Sequence, residues 1–255
     1  MKNKINQNMV TSANKKYYND VADDYLKNES YAYTKKITND VEKLIDLAIA
    51  NTHAQDVFLD IGCGSGFISK IVSKKKIFNM GIGVDISEKQ IELYKKNLIN
   101  SNFTGKVCDV NNLSFIKDES VDLICGYSVL HHFFDYYQVL DECFRVLKKG
   151  GVVYFDFEPN HHFKKNLKFL IKLKRVLFDK SPANQEGLEE MAEYHNNYEN
   201  GLNFSEIRKR FDSHIELISF NYRYPDTFIG NILENLEFMG NFMSPLFNFI
   251  LKKKK

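Results

Sequence analysis

Apolar side chains between residues 15 and 50 recur at three- and four-residue spacing. Tyr17, Tyr18, Val21, Ala22 and Tyr25 come first, followed by Val41, Leu44, Ile45 and Ala48. This is the period of an amphipathic helix, so the stretch is predicted helical. At Val57-Phe58-Leu59-Asp60-Ile61 the period is lost. A short apolar run entering a glycine cluster predicts a buried strand that reaches a tight turn. From there strand-like and helix-like segments alternate. Helices are expected over 67–73, 87–100 and 136–147, and strands over 81–85, 105–108, 121–127 and 152–157. Ser87 with Gln90 forms a capping-box pair that fixes one helix start, and Gly150-Gly151 is expected to end another. The alternation predicts a parallel sheet with helices on both faces.

Past Pro159 the pattern loosens. Residues 160–178 read as a basic amphipathic helix in which Lys164, Lys165, Lys168 and Lys172 alternate with Phe163, Leu167 and Leu170. A core-facing stripe with a solvated back accounts for it, ahead of a surface for anionic lipid. Residues 181–201 are polar and acidic. A helix is expected over 202–211 with Ser205 or Asn203 as its cap, a strand over 215–222, a helical apolar stripe over 228–243 and a last strand over 246–251. The whole chain, 1–255, reads as one α/β domain. Within it, 15–50 form a helical cap, 51–159 a ligand-binding core, 160–201 a helical insertion, and 202–255 the last helices and strands.

The strongest chemical signal is Asp60-Ile61-Gly62-Cys63-Gly64-Ser65-Gly66, set between a strand and a helix. Glycines at alternate positions permit φ > 0 and remove the Cβ atoms that would hold a ligand off the backbone. A ligand can then lie across the carboxyl end of the strand, where open α/β sheets bind their cofactors. Asp85, nineteen residues after Gly66, ends the next strand and can accept hydrogen bonds from both hydroxyls of a ribose. Asp109 follows the third strand, where it can accept a bond from an exocyclic amine. Any one aspartate after a strand can simply cap a helix. Three in succession beside a glycine turn define a ligand ledge. A nicotinamide fingerprint would be Gly-x-Gly-x-x-Gly; here the third glycine arrives one residue early, at Gly66, and Phe67 stands in its place. Asp60 would also repel a pyrophosphate, but it suits a ligand carrying an ammonium and a sulfonium.

In these motifs the sequence resembles the class I S-adenosylmethionine-dependent methyltransferases. The resemblance runs through 57–67, Gly83-Val84-Asp85, Cys108-Asp109-Val110, 121–125, Ser128-Val129-Leu130-His131-His132-Phe133 and Leu147-Lys148-Lys149-Gly150-Gly151. Residues 17–25 are similar to the leading helix of the small-molecule group that includes quinone-biosynthesis enzymes. The resemblance implies a Rossmann-like, doubly wound seven-stranded sheet with an antiparallel last strand, an N-terminal helical lid, a helical insertion after the fifth strand, and S-adenosylmethionine as cofactor. It implies that Asp60, Gly62, Cys63 and Gly64 hold the methionine end. Asp85 and Ile86 would hold the ribose and adenine edge, and Asp109 and Val110 the adenine. Tyr127 would lie beside the sulfonium. Read from their spacing, Tyr17, Tyr18 and Tyr25 share a helical face that either closes over the cofactor as a lid or packs on the domain.

Methyl transfer from a sulfonium is an in-line displacement that needs alignment more than acid–base groups, and a base enters only where the nucleophile must lose a proton. The candidates are His131, His132 and Glu158, with Asp156 and His195 behind them. A histidine that merely holds its loop is the plainer account of His131 and His132. No spacing of His, Cys or carboxylates suits a metal. The acceptor is expected to be a small molecule, lipophilic or acidic, with RNA or protein as the alternative and a non-catalytic cofactor-binding module as another. A formal charge of +2 gives no basic field for nucleic acid. The four cysteines, Cys63, Cys108, Cys125 and Cys143, form no C-x-x-C pair and read as small buried hydrophobes in a reducing compartment. The polar N-terminus and the interruption of 228–251 by Glu234, Glu237 and Pro245 predict a cytoplasmic protein without a membrane span.

Overall fold

A computed structural model describes residues 6–25, 32–163, 165, 201–226 and 244–255. Helices α1 (Gln7–Asp20) and α2 (Lys35–Asn51) precede β1 (Val57–Ile61), α3 (Phe67–Lys75), β2 (Met80–Asp85), α4 (Glu88–Asn97) and β3 (Phe103–Val107). Then come β4 (Val121–Tyr127), α5 (Tyr136–Val146), β5 (Leu147–Pro159), α6 (Phe204–Phe211), β6 (Ile215–Arg223) and β7 (Leu246–Lys253). The seven strands form one sheet in the order β3-β2-β1-β4-β5-β7-β6. The first five run parallel to their neighbours, and β7 inserts antiparallel between β5 and β6. The seven-stranded, doubly wound architecture with its antiparallel last strand is the one implied by the resemblance. Strand order reverses between β1 and β4, and a crevice opens at that switch point above their carboxyl ends.

The central strands are buried on both faces, which explains why β1 and β4 read as unbroken apolar runs rather than alternating ones. Leu59, Ile61, Ile124, Val153 and Phe155 pack on one side with Leu140 and Phe144 of α5 and Ile207 and Phe211 of α6. Phe58, Leu123, Cys125 and Tyr154 pack on the other with Ile45, Ile68 and Ile91. Each such side chain contributes on the order of 1.5–3 kcal/mol by leaving water. Two glycines of the sheet serve packing. A Cβ on Gly83 would come to 2.4 Å from the Tyr94 ring, and one on Gly81 to 2.4 Å from the Phe103 ring, both clashes.

Several boundaries differ from the expected ones. Among the described residues the predicted helical stretch 15–50 holds α1 and α2, and α1 starts at Gln7, where the Asn6 side chain caps the Met9 N–H at 3.1 Å. Gly150-Gly151 does not end α5. The helix stops at Val146, and the glycines lie inside β5, where Gly150 (φ 78°) sits in a register shift against β4. β3 begins at Phe103 because that ring fills the space left by Gly81. Ser87 and Asn203 cap α4 and α6. The terminal lysines are put to internal use. Lys253 Nζ donates to the carbonyls of Phe144 and Leu147, both at 2.8 Å, and Lys254 Nζ to that of Asp212 at 3.0 Å, which satisfies helix ends. Most of the 160–201 insertion, and the 228–243 stripe, lie outside the described residues. Among the described residues no helix is long and apolar enough to cross a membrane, and all four cysteines are free.

Candidate functional site

At the end of β1, Asp60 is 1% exposed. Its Oδ2 accepts the Ser69 hydroxyl at 2.6 Å and the Ser69 N–H at 3.1 Å, and the Tyr94 hydroxyl donates to Ser69 Oγ at 2.9 Å. Burial pushes the Asp60 carboxyl up to about 7, against the pull of the two Ser69 bonds and with a further push from Asp85. The turn that follows carries Gly62, Gly64 and Gly66 at φ 58°, 48° and 93°. The glycines are not equivalent. A Cβ on Gly62 would overlap Val129 of the β4 turn, so its bareness lets two loops pack together. A Cβ on Gly64 would meet only Gln90 Oε1 at 3.7 Å, so its bareness leaves backbone open to the crevice.

Asp85 ties this turn to the next strand. Its Oδ2 accepts the Gly64 N–H and its Oδ1 the Ser87 N–H, each at 2.9 Å. Burial raises its pKa, with the N–H bonds from Ser87, Gly64 and Ile86 opposing. One strand further, Asp109 Oδ1 accepts the backbone and side-chain N–H groups of Asn111 at 3.0 and 2.8 Å. On the β4 side Tyr127 is nearly buried, bonded through its hydroxyl to the Ala32 carbonyl, stacked on Phe157 and edge-on to Phe67. Ser128 follows with φ 54°, a left-handed conformation that costs a non-glycine residue on the order of 1–3 kcal/mol.

These groups line one cleft of about 950 Å³, its open mouth included. It brings together Asp60, Gly62, Cys63, Gly64, Asp85, Ile86, Asp109, Val110, Tyr127, Tyr25 and His132. It does not include Tyr17, His131 or Glu158 in its lining. Tyr17 packs edge-on against Tyr18 at 5.1 Å. Glu158 is fully buried and turned into the protein. Its carboxylate accepts the N–H groups of Val129 and Leu130 at 2.9 Å and of His131 at 3.3 Å, and it pairs with His131 Nδ1 at 2.9 Å. That geometry shapes the 3₁₀ turn Leu130–His132 rather than an acceptor pocket. Asp156 is likewise engaged, in a bidentate pair with Arg223. His195 lies outside the described residues. Among the described residues no group of three His, Cys, Asp or Glu side chains is arranged for a metal ion.

The lining also contains Tyr18, one of the three tyrosines read as a lid face, and residues the sequence reading did not single out as ligands: Gln7, Thr11 and Asn14 of α1, Gln90 of α4, and Phe133. The signal for Gln7, Thr11 and Asn14 was present as a polar stripe at spacings of four and three residues, ahead of the apolar positions, Tyr18 among them, that set the expected helix start.

Residues 59–155 match the family model of a methyltransferase domain. Over 102 residues the chain is 35% identical to the demethylmenaquinone methyltransferase of Thermotoga maritima, an alignment covering 40% of this chain and 43% of that one. Over 150 residues it is 27% identical to the malonyl-[acyl-carrier protein] O-methyltransferase of Priestia megaterium, covering 58% and 52%. A solved geranyl diphosphate C-methyltransferase from Streptomyces coelicolor A3(2), in complex with Mg2+, geranyl diphosphate and S-adenosyl-L-homocysteine, superposes with a TM-score of 0.61 at 14% identity, covering 96% of this chain and 98% of that one. By these findings residues 59–155 match a methyltransferase domain, and the sheet around them shares the fold of that solved enzyme. The chain spans about half the length, or less, of these two curated relatives.

The cleft fits that cofactor on its own terms. The Asp85 carboxylate accepts backbone N–H groups on both oxygens and keeps lone-pair capacity for a ribose hydroxyl. Gly64 offers the uncovered backbone a close-lying ligand requires. Among the described residues the lining has carboxylates and no Lys or Arg, which matches a ligand that presents an ammonium and a sulfonium better than one that presents a pyrophosphate.

Proposed function

We propose that this chain transfers the methyl group of S-adenosylmethionine to a small-molecule acceptor. The observation that carries the reading is the Asp85–Gly64 junction. A ribose-competent carboxylate is locked by hydrogen bonds to a glycine turn open to the cleft. The relatives named above act on small or carrier-bound molecules, which supports the same acceptor class here.

When bound, the cofactor supplies an activated methyl group. The chain's own residues supply position and surroundings. Asp85 holds the ribose, Asp109 and the buried Val110 frame the adenine, and Asp60 faces the ammonium. The rings of Tyr33, Phe67 and Tyr127, with centroids 4.9–5.7 Å apart, form an aromatic wall. Such a wall favours a sulfonium by about 0.5–2 kcal/mol. Orientation of this kind can supply on the order of 7–11 kcal/mol of the barrier at best. Where an acceptor must lose a proton, His132 is the lining imidazole placed to take it, with its Nε2 held 2.8 Å from the Tyr18 hydroxyl.

Asp60 gives the reading a pH signature. Its carboxyl is raised from an ordinary 3.8 to about 7. In the free protein its ionisation therefore lowers stability as pH climbs from about 4 through 7, because the unfolded chain releases the proton first. Ligand binding runs the other way, since an ammonium needs the carboxylate. Affinity for S-adenosylmethionine is expected to rise roughly eightfold from pH 6 to 7.5 as the ionised fraction grows. Titrations of Asp60→Asn are expected to be weak and flat over that range. A wild-type affinity independent of pH would remove Asp60 from contact with the ammonium.

Transfer itself is tested by incubating the protein with methyl-labelled cofactor and a fractionated cell extract. Label is expected in the low-molecular-weight fraction. Label confined to RNA or protein would replace the acceptor class, and tight cofactor binding without any transfer would make the chain a binding module.

A further inference from the structure

Helix α1 lies across the cleft and is fastened to both of its walls. On the β2 side, Asn19 Oδ1 accepts the Ser87 hydroxyl at 2.7 Å and the Lys89 N–H at 3.2 Å, next to the ribose carboxylate. On the β4 side, Asn14 Nδ2 donates to the His132 carbonyl at 2.9 Å. The face turned into the cleft is the stripe Gln7, Thr11, Asn14 and Tyr18. An inward helix face normally carries apolar side chains, because a polar atom buried without a partner costs about 1–3 kcal/mol.

Among the described residues, two oxygens on this face lack a partner. Asn14 is 8% exposed and its Oδ1 accepts no hydrogen bond from them, as is also true of Gln7 Oε1. The Asn14 amide cannot be turned over, because its nitrogen must face the His132 carbonyl, which can only accept. Asn14 Oδ1 is thereby held as a fixed acceptor on the cleft wall, with the Gln7 amide, bonded through Nε2 to Thr11 Oγ1 at 3.2 Å, further along the same face.

We infer that the α1 stripe is a ligand-binding surface, in which Asn14 Oδ1 and Gln7 Oε1 accept hydrogen bonds from hydroxyl or amino groups of the bound cofactor. The assignment to cofactor rather than methyl acceptor follows from the helix's course. α1 is pinned at Ser87, two residues past Asp85, and Asn14 lies five residues, about 7.5 Å, back along its axis. That is within the length of a nucleoside carrying an amino-acid chain. Binding would then fasten the lid it passes beneath. The inference rests on the cofactor reading given above.

The test is calorimetric titration with S-adenosylmethionine and S-adenosylhomocysteine of the unaltered protein, Gln7→Leu and Asn14→Leu, with hydrogen exchange followed over residues 7–20. Among the described residues Gln7 bonds only within α1, to Thr11, so Gln7→Leu reports on ligand contact without disturbing how the helix is held. Both variants are expected to weaken binding roughly tenfold, the loss of one hydrogen bond, and ligand is expected to slow exchange along α1 in the unaltered protein. If the unaltered protein binds and both variants match it, the stripe touches no cofactor and the inference is wrong. Weakening by Asn14→Leu alone reduces to lid anchoring through His132 and also counts against it. If the unaltered protein binds neither compound, the cofactor reading and this inference fall together.

Discussion

Asp85→Ala is expected to weaken S-adenosylmethionine binding at least about a hundredfold while the protein stays folded. A hydrogen bond to a charged group is worth about 1.5–3 kcal/mol, and a ribose diol on one carboxylate makes two. Their sum spans roughly two to four powers of ten in affinity. The substitution also frees the N–H groups of Gly64 and Ser87 from their acceptor, so the turn loses definition where the ligand approaches closest. Folding is expected to survive because burial already disfavours the Asp85 charge. Removing the carboxylate relieves that cost while it exposes the two donors. Asp85→Asn, which keeps one acceptor oxygen, is expected to fall between. Calorimetry paired with circular dichroism separates the two effects. A folded Asp85→Ala protein with unchanged affinity would show that no ribose sits on this residue.

Arg223→Met is expected to cost the most in stability, about 3–5 kcal/mol, the effect of stranding a buried charge. Arg223 reaches from β6 to Asp156 at the end of β5, with Nε to Oδ1 at 2.7 Å and Nη2 to Oδ2 at 2.6 Å. Asp156 is fully buried and also receives the Tyr154 hydroxyl and the Phe157 N–H. The consequence for the site is direct. The Asp156 carbonyl accepts the N–H of Ser128 at 2.8 Å, and Phe157 stacks on Tyr127 at 5.3 Å, so a shifted Asp156 disturbs the lip of β4. The double variant Arg223→Met with Asp156→Leu is expected to recover much of the loss, since no charge is then left alone. Urea denaturation of the two singles and the double checks this. Equal stability of Arg223→Met and the parent would mean that solvent reaches Asp156 and that the pair holds nothing together.

What the sequence made legible were features whose cause is local. The β1 run, the glycines at 62, 64 and 66, Asp85 at the end of a strand and the Ser87 cap each follow from neighbours within a few residues, and the structure places them as expected. Glu158 was legible only as a carboxylate at the end of a strand. Its partners are the N–H groups of residues 129–131, nearly thirty positions away, which no spacing reveals. Gly150-Gly151 has the form of a helix terminator, but pairing with β4 claimed those residues for the sheet. The α1 stripe was hidden for a different reason. A search for helices by apolar period starts where apolar residues start, and this helix begins with about two turns whose cleft-facing side, Gln7, Thr11 and Asn14, is polar.

The central claim is that the cleft over β1 and β4 takes S-adenosylmethionine. Calorimetric titration of the unaltered protein at pH 7.5, with NAD in parallel, tests it most directly. Binding of S-adenosylmethionine with a dissociation constant of roughly micromolar, about −8 kcal/mol, and none of NAD, is the predicted result. Binding of NAD, or of neither compound by a protein shown to be folded, would contradict it.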